Sequence, residues 1–112
     1  GKIETMLETN QMMLEKGRAR RPSSTGDSTI IDPVYIEEGV ALSGSTVGPN
    51  VSIGKGSTIT SSVISHSIVG TGATISRSKI SNSLVGDDAV LEGVDGAVTV
   101  GDNSEVRISP AS

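Results

Sequence analysis

Few side chains in this chain can do chemistry. His66 is the only histidine among 112 residues, and there is no cysteine. It stands in Ser65-His66-Ser67, within the stretch ITSSVISHSIVGTG at 59–72. An imidazole titrates near neutral pH and can serve as a general base. Sixteen residues on, ISRSKISNSLVGDD at 75–88 repeats the phrase, and Asn82 takes the place of His66. A position that takes Asn or His alike reads as a polar corner. Asp87, Asp88 and Asp102 follow glycines of successive repeats, with Asn103 nearby, and could approach one another around a weakly held cation. Asp after Gly is also ordinary turn chemistry. Arg18, Arg20 and Arg21 suit a phosphate or an acidic partner, but cations just past a helix C-terminus need no ligand.

Composition narrows the classes. The net charge of −4 gives no nucleic-acid footprint. No run reaches the roughly 18 apolar residues of a membrane span, and no signal-like segment opens the chain. The absence of cysteine fits a reducing compartment, so a cytoplasmic location is expected, with neither nucleic acid nor membrane as a partner. Tyr35 is the one aromatic residue. The core must therefore be assembled from many Val, Ile and Leu side chains.

The elements that would position these groups follow from a repeat. Segments starting at 36, 53, 69, 85 and 100 (Ile36-Glu-Glu-Gly, Ile53-Gly-Lys-Gly, Val69-Gly-Thr-Gly, Val85-Gly-Asp-Asp and Val100-Gly-Asp-Asn) recur every 15 to 17 residues. Within each period an aliphatic marker falls every fifth or sixth residue: Val47, Ile53, Ile59, Ile64, Val69, Ile75, Ile80, Val85 and Leu91. The residue two before each marker is small: Ser45, Ser57, Ser62, Ser67, Ala73, Ser78, Ser83, Ala89 and, in the last copy, Ser104, with Val51 the exception. Residues two apart on a strand share a face, so marker and small residue both point inward. The reading is a mainly β, three-sided solenoid of about five coils. Residues 92–99, EGVDGAVT, break the spacing and are expected to form an altered turn.

Ahead of the repeat, 3–16 reads as a helix with Ile3, Met6, Leu7, Met13 and Leu14 on one face and Gly17 as its stop. Residues 18–29 read as a polar linker. Open solenoid ends expose strand edges. The helix or linker is expected to cap one end, and the tail at 109–112 the other.

Hexads that begin Ile-Gly or Val-Gly, three to a coil, resemble the hexapeptide-repeat pattern, which implies a left-handed parallel β-helix over 30–108. The opening Gly1-Lys2-Ile3-Glu4-Thr5-Met6-Leu7-Glu8-Thr9-Asn10 is similar to the stretch that closes the catalytic domain of sugar-1-phosphate nucleotidyltransferases, with Ile3 in place of the usual Pro. Helix then β-helix is an order found among thymidylyl-, guanylyl- and adenylyltransferases for sugar phosphates. The resemblance implies a division into the terminal helix of a catalytic domain (1–17), a linker (18–29), a β-helix (30–108) and a tail (109–112). The parent would join a nucleotide to a sugar 1-phosphate with Mg²⁺, releasing pyrophosphate. The nucleotide loop and metal-binding Asp of that family are not in these residues, so no catalytic residue and no cofactor is expected here.

Two roles follow. The first is assembly or regulation: self-association as a dimer or trimer, beside the catalytic domain. Ile68 and Leu84 directly precede markers one coil apart, so both point outward and make one apolar stripe. The second is suggested by hexapeptide-repeat acyltransferases, which place a histidine between subunits near acyl-coenzyme A; His66 would then be the base. An ice-binding array of outward threonines breaks after two, since the column reads Thr58, Thr74, Val90, Glu105.

Overall fold

The computed structural model describes residues 2–17, 19–21 and 25–108. The repeat appears as three parallel sheets of five strands, each sheet pairing strands from successive coils. The first side holds Thr29–Ile30, Thr46–Val47, Val63–Ser65, Lys79–Ser81 and Asp95–Gly96. The second holds Val34–Ile36, Val51–Ile53, Ser67–Val69, Leu84–Val85 and Thr99–Val100. The third holds Ala41–Ser43, Thr58–Thr60, Thr74–Ser76, Val90–Glu92 and Glu105–Arg107. This is a parallel β-helix of the left-handed type.

The inward columns are those the markers specify. Ile53 pairs with Val69 and Val69 with Val85; Ile59 pairs with Ile75 and Ile75 with Leu91. All nine markers are buried. Burying each is worth about 1.5–3 kcal/mol, so the core is a sum of small layers rather than one aromatic cluster.

Most corners are turned by a residue at positive φ. Asn50, His66 and Asn82 stand at φ 61, 45 and 52° between the first and second sides. Gly56, Gly72, Asp88 and Asn103 turn the second side into the third, and Gly44, Ser61, Arg77 and Gly93 the third into the first. The Ile-Gly and Val-Gly signature has a separate cause. A Cβ on Gly54 would lie 2.6 Å from the carbonyl carbon of Gly70 on the next coil. No side chain fits where the coils approach this closely.

The segment 92–99 is no altered turn. Asp95–Gly96 continues the first side, with Asp95 opposite Lys79 and Gly96 opposite Ile80. The order of sizes is inverted: buried Val94 fills the small position and Gly96 the marker position. The two inward positions share one volume, so exchanging large and small preserves the layer.

The N-terminal helix α1 spans Lys2–Glu15. Past it, Arg20 adds a rung to the second side: its N–H donates to Val34 O at 2.9 Å and its carbonyl accepts the Ile36 N–H at 2.8 Å. The linker thus covers one strand edge. The tail expected to cap the other end lies outside the described residues. Among the described residues no helix is long and apolar enough to cross a membrane.

Candidate functional site

The second side is the one that a partner element occupies. Its outward column runs Tyr35, Ser52, Ile68, Leu84, Thr99, in register from coil to coil. Pairing spaces these residues about 4.8 Å apart, and none of the five is charged. The first side carries Lys79 and Asp95 in its column, and the third carries Glu105. Ile68 and Leu84 are directly opposite one another, as the stripe requires, and both are half-buried.

Helix α1 lies over this side, against Val51–Ile53 and Ser67–Val69. Of the apolar stripe read from the sequence, Leu7 and Leu14 are buried. They are seven residues apart, two turns on one face. Met6 and Met13 were expected to share that burial, but they remain 50% and 41% exposed, and Met12 is 52% exposed. Met6 and Met13 sit one residue round the helix from the leucines and line the edge of the groove against the rod, and Met12 does not line it. Asn10, between the leucines, fixes the register. The Ser52 hydroxyl donates to Asn10 Oδ1, and Asn10 Nδ2 reaches Asn50 O at 3.5 Å. Asn50 Oδ1 is buried close by with no hydrogen-bond partner among the described residues. A groove of about 530 Å³ remains between α1 and the rod, lined by Met6, Met13, Tyr35, Ile68 and Asp87 among others.

His66 occupies a corner whose column is Asn50, His66, Asn82, all at positive φ. Its own N–H donates to Pro49 O at 2.8 Å. The geometry supplies a reason for Asn and His there: both tolerate left-handed backbone better than most residues. Asp87 and Asp102 are backbone caps. Asp102 Oδ1 accepts the Asp87 N–H and Asp87 Oδ1 the Thr71 N–H, each at 2.8 Å. Glu37 and Asp27 do the same for Lys55 and Gly44. Among the described residues no group of three His, Cys, Asp or Glu side chains comes together as a metal site would need.

The basic run is dispersed. Arg20 is engaged through its backbone, and Arg21 forms a two-point pair with Asp32, at 3.0 Å for each contact. The hydrogen bonds to Asp32, with its charge, raise the Arg21 pKa. Arg18 lies outside the described residues. At the far end Arg107 bridges Glu105 and Glu92, which raises its pKa in the same way, hydrogen bonding to Glu105 first.

The serines do more than fit corners. Ser28, Ser45, Ser62 and Ser78 form a ladder in which each hydroxyl accepts the N–H of the equivalent residue one coil on, at 3.0–3.1 Å. Ser67 and Ser83 do likewise towards Ser83 and Val98, and Ser57 towards Ala73. Val51 has no hydroxyl, and there the Ser67 N–H turns to Asn50 O instead. The sequence signal was present, since Ala alone would satisfy a demand for small size.

No protein-family model matches the chain, and a search of curated proteins finds no match.

Proposed function

We propose that the chain is the β-helix assembly domain of a sugar-1-phosphate nucleotidyltransferase, with no reaction centre of its own. The observation that carries this is the seating of α1. The stretch resembling the close of a nucleotidyltransferase catalytic domain is a helix, and it rests on the side whose strand column, Tyr35 to Thr99, carries no charged residue. Leu7 and Leu14 are buried against the rod, Met6 and Met13 edge the groove half exposed, and Met12 lies outside the groove, 52% exposed. A helix apolar on two faces is suited to lie between two bodies. Such a joint would hold a catalytic domain against the rod, and the rod would join copies of the enzyme.

Assembly through the second side is favoured by its chemistry. The chain carries a charge of −4, so copies repel one another, and an outward strand column without charged residues can meet its symmetry mate with fewer like charges opposed. Burying Ile68 and Leu84 contributes about 1.5–3 kcal/mol each. Association costs about 4–15 kcal/mol, so the stripe helps pairing but does not suffice alone. Tyr35, in the same outward column, is an available addition.

Two measurements test the parentage. The pure chain with nucleoside triphosphate, sugar 1-phosphate and Mg²⁺ should release no pyrophosphate. The coding sequence upstream of Gly1 should contain a Gly-rich nucleotide loop. An upstream region without one would contradict the parentage and leave a free-standing solenoid.

A further inference from the structure

We infer that α1 and a second copy of the chain compete for the second side, so that the docked helix holds self-association in check. The inference rests on the assembly reading and specifies how that side is regulated. Ile68 belongs to both contacts: it lines the groove under α1, and it pairs in register with Leu84 in the outward stripe. The helix cannot stay seated on Val51–Ile53 and Ser67–Val69 while another rod lies flat on the same strands.

The seating is built to be reversible. Leu7, Leu14 and Asn10 are among the residues that anchor α1, and the core cluster of the rod includes none of them. The docked state leaves a buried acceptor at Asn50 Oδ1 without a partner among the described residues, and an open groove of about 530 Å³. A helix of 14 residues has little stability of its own in water, so α1 is helical because it is docked. A tethered segment competes at an effective concentration of about millimolar. A second copy at micromolar concentration therefore competes at a disadvantage of about a thousandfold in concentration. Anything that draws α1 off through its exposed methionines frees the stripe for a second copy.

The test compares the wild type with the triple variant Leu7→Gln, Asn10→Ala, Leu14→Gln, which removes every named anchor at constant charge. Hydrogen exchange reports release of α1, and thermal melting reports that the rod stays folded. Molar mass is then followed against concentration by light scattering. The midpoint of association should fall at least about tenfold on release, and adding Ile68→Lys with Leu84→Lys should abolish the gain. If α1 is released and the midpoint stays or rises, competition is overturned while assembly stands. If neither chain associates at any concentration, the assembly reading fails and competition falls with it.

Discussion

The Ser62 hydroxyl accepts the Ser78 N–H at 3.1 Å and donates to Thr60 O at 2.8 Å, so one buried oxygen ties its own coil to the next. The corner turns the Ser78 N–H inward, where no backbone carbonyl of the neighbouring coil reaches it. Replacing Ser62 by Ala strands that donor in a dry interior. The expected cost is about 1–3 kcal/mol in urea unfolding. A loss below about 0.3 kcal/mol would reduce the ladder to a by-product of small side chains.

Glycines at two positions should respond in opposite ways. At Gly54 a Cβ would meet backbone of the next coil, and neither partner can yield. Gly54→Ala should cost about 1–3 kcal/mol through overpacking. Gly56 has φ +73° and open space around it, and Asp88 and Asn103 occupy the same corner of later coils. Gly56→Asn should cost less than about 1 kcal/mol. Equal losses at the two sites would contradict the coil spacing described above.

His66 should behave as a corner. His66→Asn is expected to change stability by no more than about 0.5 kcal/mol, because its column neighbours are already Asn. His66→Val should cost about 1–3 kcal/mol, since a β-branched residue resists φ near 45°. An acyl-transfer activity that His66→Asn abolished would restore the histidine to a chemical role.

The register predicts that Val69→Asp removes the cooperative thermal transition, because Val69 is 3% exposed and a carboxylate there has no partner. Unchanged melting would refute the inward assignment of the whole column.

Much of this was legible in the sequence, and the failures have definite causes. Period, markers and inward columns follow from spacing, since each coil repeats the same geometry and Val69 can only lie above Ile53. The inversion at Val94 and Gly96 escaped because a rule about single positions cannot see that two positions share one volume. The division of the α1 stripe escaped because Leu7 and Met6 are equally apolar, and only a docked partner separates them. The linker rung at Arg20 escaped because its pairing is all backbone and leaves no mark on residue type. At the candidate site the outward pairing of Ile68 and Leu84 was readable, whereas the helix lying over Ile68 depends on tertiary packing.

The claim that the second side joins copies of the chain is tested most directly by molar mass against concentration, for the wild type and for Ile68→Lys with Leu84→Lys. The account predicts a wild-type mass that climbs from 11.4 kDa toward a whole-number multiple, and a folded double variant that stays at the monomer value throughout. Two curves that climb together, or a wild type that never leaves 11.4 kDa, would contradict it.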